Sequence, residues 1–247
     1  MGIFVTNSVC WARFERASLG EYAVGALSWM FRHAPIPWNL LLHMGIRIIL
    51  RKYNIKNGVL VVDDTDHKRS KVTSRIYRAY KVFDKKTNGY FNGQSIVFLI
   101  LVSESITIPV GFSFYSPDPA WKAWGKEDKR LIAQGVVKKS RPPKPIRNPE
   151  HPTKEQIAGK LMEDFAHYHP EFKVKSVNGD NHYSTSCFMD KAEELFDCQT
   201  LGNMKASQNV RFRGKGMAVR DYFKINQPIK RGESHISARS HREGSIS

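Results

Sequence analysis

The stretch Gly58-Val-Leu-Val-Val-Asp-Asp-Thr65 is an apolar run that ends abruptly in carboxylates. A second run, Lys173-Val-Lys-Ser-Val-Asn-Gly-Asp180, also ends in an acid. Short runs rich in β-branched residues and bounded by turn residues predict strands, so each acid is expected at the rim of a sheet. If the strands are neighbours, Asp64 and Asp180 lie within reach of one divalent metal ion, because Mg²⁺ prefers carboxylate oxygens.

The segments before and after the first run extend this picture. Residues 1–57 carry apolar side chains at helical spacing and predict a helical N-terminal region. A basic, polar loop is expected from residue 66 to residue 86. Strands at 90–102 and 106–115 follow, and the tight polar turn between them predicts a hairpin.

The second half of the chain supplies helices to cover the sheet. Thr153 and Gln156 stand in the spacing of a capping box, which predicts the start of a helix. A strand at 172–179, a helix at 184–196 and a short strand near 199–204 come next. Strands and helices in this order predict an α/β fold with a mixed sheet flanked by helices.

Changes in composition divide the chain into regions. The N-terminal helices over 1–57 precede a core over 58–204, and residues 205–230 form a separate region. Residues 231–247 have almost no apolar content and are expected to be a disordered or frameshifted tail, since such a segment cannot build a core. The basic, proline-rich stretch 138–152 predicts an extended linker.

The charge of the chain points to an anionic partner. The formal net charge is +16, and an excess of this size is most typical of proteins that bind nucleic acid. Lys68, Arg69 and Lys71 follow the first acid directly and are expected to bind DNA phosphates. A solvated loop is the simpler interpretation of the same three residues.

Other classes of site find no support in the sequence. The three cysteines show no paired spacing, which favours a reducing compartment and argues against a disulfide framework or a thiolate zinc site. No apolar segment is long enough to span a membrane, and no signal pattern begins the chain. We therefore expect a cytoplasmic protein without a membrane partner.

Cleavage of a phosphodiester bond needs an activated nucleophile and neutralisation of the phosphate charge, and divalent metals held by carboxylates supply both. Asp64 and Asp180 have the residue type and position for this work. Turn formation remains the alternative for each, because Asp after a strand commonly accepts hydrogen bonds from its own loop.

Several blocks of the sequence resemble the DDE transposases of bacterial insertion sequences, in the subgroup with a Tyr-Arg-Glu-Lys pattern. The resemblance covers roughly residues 58–223. The blocks that carry it are Val61-Val-Asp-Asp-Thr65 with its Lys/Arg-rich loop, Asn92-Gly-Gln94, Val177-Asn-Gly-Asp180, His182-Tyr-Ser184, Leu201 to Val210, and Val219-Arg-Asp-Tyr-Phe223.

This resemblance implies an RNase H-like catalytic fold that binds Mg²⁺ or Mn²⁺ and performs DNA cleavage and strand transfer at the terminal inverted repeats of an element. By the same resemblance Asp64 and Asp180 are the first and second catalytic acids and metal ligands, and Asp63 accompanies them. A homodimer acting in a prokaryotic cytoplasm, associated with the nucleoid, is the further implication.

The third acid of that family is a Glu on a later helix, and its pattern is absent here. Glu233 and Glu243 fall in the tail, and Asp221 in a short helix is a weak substitute. The chain therefore resembles a truncated copy that ends at the beginning of the family's insertion, over 205–230, with impaired activity. An inactive DNA-binding remnant and an RNase H-like nuclease unrelated to transposition remain the alternatives.

Overall fold

The computed structural model describes residues 10–69, 76–204 and 206–226. The chain divides into a compact unit that ends at Gly45 and a second unit that begins at Ile46. The first unit contains helices α1 (Trp11–Ala17) and α2 (Val24–His33) and the start of α3 (Trp38–Lys52). These helices lie within the region that the sequence predicts to be helical.

The second unit is built on a six-stranded mixed sheet. Its strands are β1 (Asn57–Lys68), β2 (Tyr80–Asp84), β3 (Gly89–Val102), β4 (Thr107–Tyr115), β5 (Lys173–Gly179) and β6 (Gln199–Gly202). Strands β3, β1, β5 and β6 are neighbours in that order, and both β2 and β4 pair with β3. Strand β3 is antiparallel to β1, β2 and β4, whereas β1, β5 and β6 are parallel.

The helices of this unit are α4 (Pro119–Ala133), α5 (Lys154–Tyr168), α6 (Ser186–Phe196) and α7 (Val219–Ile225), with a short 3₁₀ turn at Lys138–Ser140. A separate hairpin is formed by β7 (Asn209–Phe212) and β8 (Lys215–Ala218). Among the described residues, no helix combines the length and the hydropathy that a bilayer crossing requires.

The core lies where α5 packs on one face of the sheet. Alternate residues of β1 point to that face, and Leu60 pairs with Leu101 on one side and Val177 on the other, all three fully buried. A side chain at Gly111 would meet Leu161 of α5 at 3.2 Å, which shows how closely helix and sheet approach. Apolar burial on this face is the main stabilisation of the fold.

Helix α5 begins as the sequence predicts. The Thr153 hydroxyl accepts a hydrogen bond from the Gln156 amide at 3.1 Å, and the Gln156 side chain accepts one from the Thr153 amide at 2.9 Å. This reciprocal capping box satisfies backbone donors that a helix start would otherwise leave unpaired. It fixes the first turn of α5 at the edge of the sheet where the acids lie.

The mixed sheet flanked by helices confirms the predicted α/β class and is consistent with an RNase H-like fold. The predicted hairpin of β3 and β4 is also present. The loop predicted for residues 66–86 was wrong, because β1 continues to Lys68 and β2 occupies Tyr80–Asp84. These strand segments carry polar side chains, so they do not form the apolar runs from which strands were predicted.

The stretch 138–152 differs from the predicted linker. It begins with the 3₁₀ turn, and its later residues return along helix α4, which the sequence reading did not identify. The side chain of Arg141 forms an ion pair with Asp128 of α4 at 2.8 Å. The stretch is therefore held against a helix.

The predicted tail, residues 231–247, lies outside the described residues.

Candidate active site

The two predicted acids lie on neighbouring strands or directly after them, Asp64 within β1 and Asp180 immediately after β5. Strands β1 and β5 run parallel, and the last registered pair joins Val62 to Gly179. Asp64 therefore lies two residues beyond that pair and Asp180 one residue beyond it, and both are half-buried. The pairing of β1 with β5 ends at this level, and the carboxyl ends of parallel strands are where open α/β sheets place their ligand sites.

Tyr183 connects the two acids. Its hydroxyl donates a hydrogen bond to Asp64 Oδ1 at 3.1 Å, and its backbone N–H donates to the Asp180 carbonyl at 3.0 Å. The ring is almost fully buried. Burial raises the pKa of Tyr183, and the negative charges of Asp64 and Asp180 raise it further. Tyr183 is thus bonded to the carboxylate of Asp64 and to the backbone of the turn that carries Asp180.

The loop that carries Asp180 is tightly defined. Asp180 Oδ1 accepts a hydrogen bond from the His182 amide at 2.8 Å, and the Ser184 hydroxyl donates to the Asp180 carbonyl at 3.0 Å. A side chain on Gly179 would meet Tyr183 Cβ at 2.8 Å, so only glycine fits there. Asp180 does perform turn chemistry through Oδ1, and the same turn sets the position of its carboxylate.

Lys154 is a member of the site that the sequence reading missed. Its ammonium forms an ion pair with Asp64 Oδ2, and the two side chains are 26% and 14% exposed. The ammonium also lies 5.5 Å from the ring centroid of Tyr115. Both oxygens of Asp64 are therefore engaged, one by Tyr183 and one by a cation from the first turn of α5. Ninety positions separate Asp64 from Lys154, and nothing local in the sequence links them.

A polar row continues from Asp64 along the same face of β1. Side chains alternate along a strand, so Asp66 shares the face of Asp64. The buried Ser95 hydroxyl of β3 donates a hydrogen bond to Asp66, and Tyr80 Oη lies 2.5 Å from Ser95 Oγ. Burial raises the pKa of Tyr80 to about 12, and the charge of Asp66 adds to the shift. This hydrogen-bonded chain supports the acidic end of β1.

The structure describes two of the three predicted DNA-binding residues. Lys68 ends β1 and is exposed. Arg69 donates a hydrogen bond from Nε to Gln94 Oε1 at 2.6 Å, and its amide donates to the Asn92 carbonyl at 2.8 Å. Lys71 lies outside the described residues. Arg69 is thus anchored to β3, and binding of DNA by this group remains a prediction.

The third carboxylate is not located. Asp221 of α7 is 3.3 Å from the Lys224 ammonium at the surface, and Glu233 and Glu243 lie outside the described residues. In the described ranges, no group of three His, Cys, Asp or Glu side chains is close enough to hold a metal. Mg²⁺ is usually bound through about one or two carboxylates completed by water and phosphate. Asp64 and Asp180 supply carboxylate oxygens of this kind, although both oxygens of Asp64 are engaged by Tyr183 and Lys154 in this structure.

The buried tyrosines predict a loss of stability in alkaline solution. The folded pKa of Tyr80 is about 12 against an ordinary value of 10.0. The contribution of Tyr80 is therefore complete below pH 10 and lost as the pH rises toward about 12, because the unfolded chain releases the proton first. We expect Tyr80→Phe to reduce the fall in the free energy of unfolding over this range, measured by urea denaturation at each pH.

The matched control is Tyr53→Phe, which removes a tyrosine hydroxyl from a position that is 55% exposed. Lysines also titrate in this range, so the comparison between the two phenylalanine variants isolates the tyrosine effect. Equal slopes for the wild type and Tyr80→Phe would show that Tyr80 ionises normally in the folded protein.

Comparisons with known proteins add little to this geometry. No model of a protein family matches the chain, and no curated protein is a significant match to it. Among solved structures the chain is weakly similar to the Drosophila P element transposase strand transfer complex, with 11% identity and a TM-score of 0.23. The match covers 87% of this chain and 52% of that one, so the present chain spans about half of its length. A TM-score this low supports no argument about fold or function.

Proposed function

We propose that the protein is a metal-dependent nuclease of the transposase type that cleaves DNA. The observation that carries the proposal is the position of Asp64 and Asp180 just beyond the last registered pair of two parallel strands, with the buried Tyr183 bonded to both residues. The RNase H-like arrangement of the sheet and the net charge of +16 are in keeping with it. DNA is the anionic partner that such a charge favours.

In this proposal Asp64 and Asp180 hold Mg²⁺ or Mn²⁺, which when bound supplies charge neutralisation at the phosphate and an activated nucleophile. Tyr183 orients the carboxylate of Asp64 through its hydrogen bond. Lys154 balances the charge of Asp64 and keeps a cation at the edge where a phosphate approaches. Lys68, Arg69 and Lys71 bind neighbouring phosphates and add affinity that falls with salt.

The finer proposal is a transposase of a bacterial insertion sequence. Such an enzyme would cut and transfer strands at terminal inverted repeats, act as a homodimer on paired ends, and work in the cytoplasm at the nucleoid. The resemblance of the blocks around Asp64 and Asp180 supports this proposal. Because the third catalytic acid of that family is not found in this sequence, we expect slow turnover of the DNA cleavage reaction.

A DNA-binding protein without cleavage is the second candidate. It is favoured by one observation: within the described ranges, no third carboxylate joins Asp64 and Asp180. Such a protein would keep its basic surface and its affinity for duplex DNA. It would show the steep salt dependence of phosphate binding and no metal-dependent chemistry.

The test is incubation of the full chain with supercoiled plasmid DNA in Mg²⁺, in Mn²⁺ and in a chelator. We expect conversion to the nicked circle with either metal and none with the chelator, read on an agarose gel. An RNA–DNA hybrid in a parallel reaction should remain intact. DNA binding without nicking in either metal would favour the second candidate, and cleavage of the hybrid alone would indicate a nuclease unrelated to transposition.

A further inference from the structure

Residues 118–148, here called the basic arm, consist of α4 and the chain that returns along it. One carboxylate closes its two ends. Asp118 Oδ1 accepts a hydrogen bond from the Ala120 amide at 2.9 Å and caps α4, while Asp118 Oδ2 accepts one from the Asn148 amide at 3.1 Å. The arm contains nine Lys or Arg against three Asp or Glu, so it carries a concentrated positive charge.

One face of α4 holds the returning chain. The indole of Trp124 donates a hydrogen bond to the Pro142 carbonyl at 2.9 Å, and the Arg147 guanidinium lies 3.9 Å from the ring centroid of Trp121. The half-buried ion pair of Arg141 with Asp128 joins the same two segments. These contacts define the orientation of α4 around its own axis within the arm.

The opposite face of α4 presents a stripe of three exposed lysines. Lys122, Lys126 and Lys129 follow one another at spacings of four and three, which places them on one side of a helix. Residues 121 and 124 lie on the other side by the same periodicity. Among the ion pairs between described residues, none involves the three lysines, whereas the neighbouring Arg130 is paired with Glu127 at 2.6 Å.

We propose that this lysine stripe binds the phosphate backbone of duplex DNA, apart from the acids of the candidate active site. The choice of DNA as the partner rests on the proposed function. At about 1.5 Å of rise per residue the stripe extends about 10 Å, which matches roughly three phosphates of one strand at about 3.4 Å of axial rise each. Lys138, Lys139 and Lys144 are exposed on the return segment and add to the positive charge of the arm as a whole.

A membrane surface fits this face less well. Helices that bind bilayers place bulky apolar side chains beside their lysines and insert them at the interface. In the basic arm the tryptophans face the return segment, where Trp124 bonds to Pro142 and Trp121 lies under Arg147. Large apolar side chains are exposed elsewhere in the arm, at Ile132, Val137 and Ile146, but none lies between the three lysines. Phosphate contacts from such a row of lysines give affinity without sequence readout.

The experiment compares two triple variants of the full chain in binding a short fluorescent duplex DNA by anisotropy over a range of KCl. The test variant is K122Q/K126Q/K129Q. The matched control is K52Q/K56Q/K173Q, which removes three exposed lysines near the other ends of β1 and β5. Thermal unfolding of both variants should match that of the wild type, since every substituted side chain is exposed.

We expect the test variant to bind on the order of 10²-fold more weakly at 0.1 M salt, with a salt slope smaller by about 2.7, as the loss of three phosphate contacts predicts. The control should lose less than about threefold. Equal losses in both variants would overturn the proposal in favour of diffuse attraction. Equal binding of poly-glutamate at the same salt would overturn it in favour of an acidic protein partner.

Failure of the arm can be told apart from failure of the proposed nuclease. Asp64→Asn and Asp180→Asn should bind the same duplex at least as well as the wild type, because neither residue belongs to the lysine stripe. Loss of DNA binding in the test variant supports the proposal that the lysine stripe binds DNA, even if the plasmid is never nicked. Unchanged binding in the test variant overturns the arm even if nicking is observed.

Discussion

Replacement of Asp64 by asparagine should lower metal-dependent nicking of plasmid DNA by about 10³-fold or more. The carboxylate supplies a charged ligand, and metal stabilisation of a phosphoryl transition state is worth several kcal/mol, where about 1.4 kcal/mol is tenfold in rate. Asp180→Asn should cause a loss of the same order, because both acids lie just beyond the last registered pair of the parallel strands β1 and β5. The rate of conversion of supercoiled to nicked DNA in Mg²⁺ measures both effects.

Asp63→Asn is the matched control, because it makes the same charge change one residue earlier. Asp63 is exposed, and successive residues of a strand point to opposite faces, so its side chain lies away from the face of Asp64. Its Oδ1 accepts a hydrogen bond from the Asp64 amide at 2.8 Å, which an asparagine oxygen can also accept. We expect nicking within a few-fold of the wild type.

The outcomes separate three readings of the acidic site. Loss of nicking in Asp64→Asn and Asp180→Asn with retention in Asp63→Asn supports the proposed pair. Loss of nicking in Asp63→Asn alone would mean that Asp63, and not Asp64, is the acid that acts in cleavage. Nicking that survives all three substitutions would place the cleavage chemistry elsewhere. Each variant should first be shown to unfold cooperatively, as the wild type does. This check is needed because Asp64→Asn leaves Lys154 without its charged partner.

The parts of this fold that sequence reasoning predicts are those with a local cause. The run ending at Asp64 alternates buried and half-buried side chains over Gly58–Val62 as a strand inside a sheet must. The hairpin of β3 and β4 follows from a tight polar turn between apolar runs. Thr153 and Gln156 are three residues apart, so the capping box that begins α5 is visible without any tertiary information.

The parts that were missed depend on contacts between distant segments. The ammonium of Lys154 reaches Asp64 from another element, and a lysine in the first turn of a helix normally indicates only solvent exposure. The far end of β1 is polar because Asp66 pairs with Ser95 of β3 and bonds to it. That segment forms a strand because it pairs with β3, not because its own residues are apolar. Neither the spacing of apolar residues nor the β-propensity of the segment could therefore reveal it.

Replacement of Phe165 by alanine should lower the free energy of unfolding by about 3–5 kcal/mol, the usual effect of deleting a fully buried phenylalanine ring. Phe165 is 0% exposed on the inner face of α5. Its ring lies 5.6 Å from that of Phe172 and 6.4 Å from that of Phe196, in edge-on contacts. Because natural domains have only about 5–15 kcal/mol of stability, urea denaturation should show a large fall in midpoint.

Phe83→Ala is the matched control, since Phe83 is 45% exposed on the edge strand β2. It should change the free energy of unfolding by about 0.5 kcal/mol or less. Phe165→Leu keeps most of the buried volume and should cost about 1.5 kcal/mol or less. Similar losses for Phe165→Ala and Phe83→Ala would mean that α5 does not form the core contact described here.

The same variant separates stability from chemistry, because α5 carries Phe165 in the core and Lys154 at the acids. At a temperature and urea concentration where Phe165→Ala is still folded, its nicking rate per folded molecule should equal that of the wild type. Asp64→Asn should show the opposite behaviour, with nicking lost in the folded protein. A fall in nicking for the folded Phe165→Ala protein would show that core packing of α5 sets the position of Lys154 at the site.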